Sequence, residues 1–163
     1  MIDLFFETAT LVAAVGCGLV AGILLAFSIS VLPGLATLPV PDAIAAMQRF
    51  NAAILNPVFL VLFVGTALNC TAATVLAVFG ENGRTASVGA GAALYVVGCF
   101  VVTVAFNVRL NDALAAVDPA SPAGADMWQR FTANWTLWNT VRILASTAAC
   151  VVLILGQGRS TPG

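Results

Sequence analysis

Trp128, Phe131, Trp135, Trp138, Asn139 and Arg142 recur at steps of three and four residues. At about 100° per residue they fall within an arc of roughly 100° on one helix. All three tryptophans of the chain lie on that arc. Arg142 sits about one turn beyond Asn139, heading into an apolar stretch. A charge at that depth is expensive, so it should face the interior and have a partner. Other segments carry matching residues. Phe100, Val104, Asn107, Asn111 and Leu114 share one helical face, as do Met47, Asn51, Ile54 and Val58, while Asn56 precedes Pro57 on a different face. Arg109 and Asp112 are spaced to pair on the side opposite Asn107. Amides in an apolar helix demand hydrogen-bond partners. Together these residues predict one enclosed polar pocket lined by aromatics.

Such a pocket suits an oxygen-bearing planar guest. Arg142 could pair with an oxyanion, and Asn107, Asn111 and Asn139 could donate hydrogen bonds to it. Preorganised donors in a dry site are usually the largest catalytic term. Trp128, Trp135 and Trp138 could stack on a ring, with Asn51, Asn56 and Arg109 at the rim. Histidine is absent, so Asp112 is the nearest carboxylate base, with water as the fallback. A bland alternative stays open. Tryptophan at a membrane boundary is often an aromatic belt, and Asn and Arg can tie helix ends together with no ligand. A belt should spread round the helix and mark both boundaries, whereas these indoles cluster on one arc at one boundary.

The elements that must hold these residues follow from composition. The chain has 163 residues, of which 61% are hydrophobic and 8% charged. Its mean hydropathy is +1.03. A typical soluble domain carries about 25% charged residues. Seven acids and six arginines, with no lysine, cannot cover a soluble globule of this length. The net charge of −1 offers no basic patch for nucleic acid. An integral membrane protein is what remains, with the lipid bilayer as its first partner.

A helix needs about 20 apolar residues to cross the hydrocarbon core. Four stretches meet that test, at about residues 11–32, 58–79, 86–106 and 138–155. They are continuously apolar rather than alternating, which excludes barrel strands. The expectation is an all-α fold of one domain over 1–163: a four-helix membrane bundle with both termini on one side and short amphipathic helical extensions on the other. Asp3 and Glu7 in place of positive charge argue against a cleavable signal. Pro33-Gly34 should end the first helix, and Asp42 should cap the next. The Glu81-Asn82-Gly83-Arg84 turn joins the second and third spans. Asp118-Pro119-Ala120-Ser121-Pro122 should break the chain before a helix that runs into the fourth span. Arg84 and Arg159 fall on the terminal side and Arg49, Arg109, Arg130 and Arg142 on or near the other, which leans that second side toward the cytoplasm.

Cys17, Cys70, Cys99 and Cys150 each fall near the middle of a different span. They read as small apolar packing residues. Antiparallel threading spreads them, and no C-x-x-C spacing occurs, so no metal site is expected. Gly18-x-x-x-Gly22 fits close helix packing or an oligomer contact. Asn69, in mid-span, should bond across helices.

The stretch from Asn107 to Leu114, reading N-V-R-L-N-D-A-L, is followed by Trp128 and by Trp135 to Arg142, reading W-T-L-W-N-T-V-R. These motifs resemble the signature of the anthrone-oxygenase-like integral membrane proteins. Leu32-Pro33-Gly34-Leu35, Arg49-Phe50-Asn51 and Asn56-Pro57 also resemble that family. The resemblance implies a four-helix membrane fold, in most bacterial members a domain of unknown function, placed here in a bacterial inner membrane. It further implies oxidation of an anthrone to an anthraquinone by molecular oxygen, with no conventional flavin or haem. The family pattern commonly has Pro where this chain has Arg109, which sets an extra charge near the pocket. The competing expectation is a non-enzymatic membrane protein. It would bind or transport a lipophilic small molecule, or serve as an accessory subunit in a homo-oligomer or with a larger membrane partner.

Overall fold

The computed structural model describes residues 2–79 and 84–157. Among them there is no strand, and four rods are long and apolar enough to cross a membrane: Leu4–Leu35, Pro57–Phe79, Thr85–Ala115 and Pro122–Gln157. The protein is a multi-pass membrane protein built as a four-helix bundle. Lipid cannot hydrogen-bond a bare backbone, so each rod satisfies its own.

The first rod joins α1 (Ile2–Ala26), a π-helical turn (Phe27–Val31) and α2 (Leu32–Leu35). The predicted stop at Pro33-Gly34 is therefore corrected: the helix runs on through Pro33 to Leu35. Proline has no N–H for the carbonyl four residues back and its ring crowds that carbonyl. The wider turn just before it, where Leu32 N–H reaches the Phe27 carbonyl, lets the ladder change register.

α3 (Val40–Ala53) lies on the far end of the bundle from the termini. Its cap is Pro39, not Asp42, because Pro41 is tolerated in a first turn that needs no N–H. Asp42 instead sits in that first turn, where the helix dipole favours a carboxylate. α4 (Pro57–Phe79) begins at the cap made by Asn56, whose Oδ1 accepts the Phe59 N–H at 3.0 Å. The third rod comprises α5 (Thr85–Tyr95), two π-helical turns (Val96–Val101 and Thr103–Asn107) and α6 (Val108–Ala115). α7 (Pro122–Gln157) is unbroken for 36 residues. Ser121 caps it through the Gly124 N–H at 3.0 Å. At about 1.5 Å per residue it reaches roughly 54 Å, well beyond the hydrocarbon core.

The first and last described residues lie at one end of the bundle. Glu7 meets Arg84 at 3.6 Å, and its carbonyl accepts Gln157 Nε2 at 2.9 Å. The Glu81-Asn82-Gly83-Arg84 turn falls, except for Arg84, outside the described residues, as does Arg159. The buried side chains form two clusters. One, containing Cys17, Cys70, Tyr95 and Cys99, fills the membrane bundle. The other, containing Ile44, Met47, Leu114, Trp128, Phe131 and Trp135, fills the cap. Gln48 ties the cap together by donating to the Leu114 and Val117 carbonyls at 2.8 and 3.1 Å, which the end of α6 would leave bare.

Close packing is carried by glycines other than the predicted pair. A Cβ on Gly98 would stand 2.6 Å from the Ala145 Cβ, and one on Gly91 2.7 Å from Leu153, so the third and fourth rods touch there. Gly22 has nothing within 4 Å, and Gly18 meets only Cys150. Asn69 does bond across helices, donating to the Ala9 carbonyl.

Candidate functional site: a buried guanidinium beside an apolar cavity

Arg142 lies on α7 where the two core clusters meet, and it is 5% exposed. Its Nη2 donates to Asn139 Oδ1 at 2.7 Å and its Nη1 to Thr103 Oγ1 at 3.2 Å. The guanidinium carbon stands 5.3 Å from the centre of the Trp135 ring. Its Nε is buried without a partner. Among the described residues no carboxylate pairs with it, and the ion pair present there joins Arg84 and Glu7.

The partners of Arg142 are themselves held. Asn139 Nδ2 donates to the Leu24 carbonyl at 2.9 Å and to Ser28 Oγ at 2.8 Å, beside the π-helical turn of the first rod. Thr103 Oγ1 donates to the Cys99 carbonyl at 2.7 Å, which leaves its lone pairs for Arg142. Trp135 Nε1 donates to Asn111 Oδ1 at 3.0 Å. Asn107 Nδ2 reaches the Trp135 carbonyl at 3.4 Å, and its buried Oδ1 has no partner. Amides, two hydroxyls, an indole and a guanidinium from three rods thus form one connected set. A network of this kind orients each member through its neighbours.

Beside this set lies a cavity of about 90 Å³. Its polar wall is Asn51, Thr103, Asn111, Trp135 and Arg142, and its apolar wall includes Phe27, Phe59 and Phe63. Asn51 Nδ2 is buried and unpartnered, as is Arg142 Nε. Two hydrogen-bond donors on cavity-lining residues therefore have no protein acceptor. Unsatisfied buried donors are uncommon, and these two are left to bond water or a guest.

The structure divides the predicted site residues. Arg142, Asn111, Trp135 and Asn51 line the cavity, with Asn139 and Asn107 buried behind them. Of the tryptophan arc, Trp128, Phe131 and Trp135 stack in series, while Trp138 leaves it. Trp128 stacks on Phe131 inside the cap, and Trp138 lies flat on Phe106 with the rings 3.7 Å apart, away from the cavity. Asn56 is spent on capping α4, its Nδ2 donating to the Ala53 carbonyl at 3.0 Å. Arg109 and Asp112 are exposed and outside the cavity, and no ion pair joins them among the described residues. On the third rod, Val104 is 53% exposed while Thr103 faces Arg142, because the π-helical turns rotate the face predicted for a regular helix. Val58, too, points outward. Thr103 and Ser28 were missed. A threonine in an apolar helix usually bonds its own backbone, so neither residue carries a signal in the sequence.

Cys17 and Cys70 meet with their sulfurs 4.0 Å apart in the membrane core. Among the described residues no three potential metal-ligating side chains converge.

Residues 58–152, more than half of the chain, match the family model described as anthrone oxygenase. The chain belongs to the anthrone oxygenase family. The matched stretch holds Thr103, Asn107, Asn111, Trp135, Asn139 and Arg142, whereas Pro33 and Asn51 precede it. No curated protein and no solved structure matches the chain. The match therefore covers Phe59 and Phe63 of the apolar wall and the polar wall except Asn51, while Leu24, Phe27 and Ser28 precede it.

Proposed function

We propose that this family member is a membrane-embedded oxygenase that oxidises lipophilic phenolic molecules with molecular oxygen, the substrate itself serving as reductant. The observation that carries this reading is the Arg142 guanidinium, buried beside the cavity with neutral partners. An uncompensated buried charge costs several kcal/mol. A phenolate in the cavity would supply the missing counter-charge, and Arg142 would favour its formation. The electron-rich anion can then reduce oxygen, which bonds to the carbon opposite the phenolic oxygen. The O–O bond breaks, one oxygen stays as the new carbonyl, and the other leaves as water with the two displaced hydrogens. For an anthrone the product is an anthraquinone. No carboxylate lines the cavity, so the first proton goes to water rather than to Asp112. We place the protein in a bacterial inner membrane, with the bilayer as the source of its substrate.

The test is oxygen uptake and quinone absorbance with the full chain in lipid nanodiscs, using anthrone and simple phenols. Arg142→Gln should lower kcat/KM by about 100-fold or more, the scale expected for a preorganised charge-stabilising donor. A thermal midpoint close to that of the parent would show the variant folded. Wild-type rates in Arg142→Gln would overturn the reading. Phenol binding with no oxygen uptake by the parent protein would overturn it in favour of a binding protein.

A further inference from the structure

The cavity has two unlike ends. Leu24, Phe63, Trp135 and Arg142 line it and are each at most 6% exposed. Leu55 and Val108 also line it, yet they are 64% and 39% exposed. One end is therefore closed by the bundle, and the other is an open mouth. The two donors without a protein acceptor divide in the same way. Asn51 is half-buried and lies one turn before Leu55, near the mouth, whereas Arg142 is buried at the closed end. Oxidation of a phenol by molecular oxygen makes two oxygen anions in turn, one on the phenol and one on the dioxygen. Size separates the two guests as well. A water needs about 10–15 Å³ of free space, and a benzene ring fits a cavity of about 150 Å³. At about 90 Å³, this cavity has ample room for a diatomic molecule. An aromatic substrate, fused or not, enters by its reacting edge and keeps the rest of its rings in the mouth.

We propose that the closed end, between Leu24, Phe63 and Arg142, is a dioxygen site, a reading that rests on the oxygenase activity above and places its second substrate. Dioxygen is small, uncharged and apolar, so the Leu24 and Phe63 walls suit it. The phenolic substrate comes in from the mouth, and its oxygen accepts from Asn51 Nδ2. The charge of its anion is shared with the carbon opposite that oxygen, and this carbon faces the closed end and the Arg142 cation. One electron passes from the anion to O₂, which leaves a substrate radical and superoxide. The two radicals pair to form the new C–O bond. The peroxide anion so formed accepts from Arg142 Nε and takes back, from water, the proton lost in the first step. The O–O bond then breaks, the bound oxygen becomes the carbonyl, and the other leaves as water with the remaining hydrogen of that carbon. Negative charge thus moves onto a neutral molecule beside a buried cation, where a preorganised charge has its largest effect.

The test uses the full chain in phosphatidylcholine nanodiscs with anthrone. Xenon, which apolar protein cavities take up, is the first probe. Under xenon pressure, oxygen uptake should be inhibited competitively against O₂ and not against anthrone. Leu24→Phe fills the closed end. It should lower kcat/KM for O₂ by at least about tenfold and hold the anthrone Kd, titrated by tryptophan quenching under nitrogen, within about twofold. Leu55→Trp, at the mouth, should instead weaken anthrone binding under nitrogen by at least about tenfold. If Leu24→Phe lowers the thermal midpoint sharply, the xenon pattern of the parent protein decides by itself. Xenon competing with anthrone rather than with O₂ would overturn the dioxygen site and leave the oxygenase reading standing. Loss of anthrone affinity in a folded Leu24→Phe would do the same. Anthrone binding by the parent with no oxygen uptake would overturn both.

Discussion

Arg142, Asn139 and Thr103 behave as one device, because each satisfies the polar group of the next in a region where water cannot. Their separate substitutions should therefore have different signatures. Asn139→Ala removes the acceptor for Nη2 and the donor to Leu24 and Ser28. It should destabilise the bundle by about 2–4 kcal/mol, seen as a lower midpoint in thermal or detergent unfolding. Asn139→Asp is the sharper probe. It places a carboxylate against the guanidinium but loses the Nδ2 donation to the Leu24 carbonyl, so the midpoint should fall less than in Asn139→Ala while oxygen uptake falls at least about tenfold, since the cation now has an internal partner. Thr103→Val keeps the shape and removes the hydroxyl that Nη1 uses. A loss of about 1–2 kcal/mol in unfolding measurements is expected, the scale of one orphaned buried hydrogen bond. Arg142→Lys should not restore activity, because an ammonium cannot span Asn139 and Thr103 with the same planar fork.

The elements place these residues through irregularities rather than through regular helix. The π-helical turn at Phe27–Val31 lies beside the contacts of Asn139, and the pair between Tyr95 and Val108 turn Thr103, Asn107 and Asn111 toward α7. Short wide turns of this type are frequent at functional sites. The third and fourth rods approach closely at Gly98, where an added methyl would meet the Ala145 Cβ at 2.6 Å with no flexible group to yield. Gly98→Ala should cost about 1–3 kcal/mol, the usual range for overpacking. Gly22→Ala, in open space on α1, should instead be neutral or stabilise by up to about 1 kcal/mol. Unfolding midpoints of the two variants, side by side, test the packing directly. Equal effects would contradict it.

For the whole molecule, the polar network and the cavity both lie at the cap end, away from Glu7 and Gln157. Arg49, Arg109 and Arg130 are exposed on that end, while Arg142 is interior and does not count toward topology. By the positive-inside rule we expect the cap in the cytoplasm and the opposite end of the bundle outside. Alkaline phosphatase fused after the last residue should be active and a fluorescent-protein fusion dark; the reverse pattern would refute this orientation. The membrane bundle was legible because hydropathy is a property of each stretch alone: about 20 apolar residues in a row have few other fates. Arg142 and Asn139 were legible for the same reason, since a polar group at that depth must turn inward. The grouping of the tryptophans was not legible. A regular 3.6-residue wheel puts Trp128, Trp135 and Trp138 together, but only Trp128 and Trp135 share a neighbour, Phe131, while Trp138 turns to Phe106. Nor was the inward turn of Thr103, because π-helical register depends on bonds between neighbours that no residue type announces. Apolar stretches told the chain where to cross the membrane; which side chains share a hollow was settled by the height and rotation at which four helices came to rest against one another.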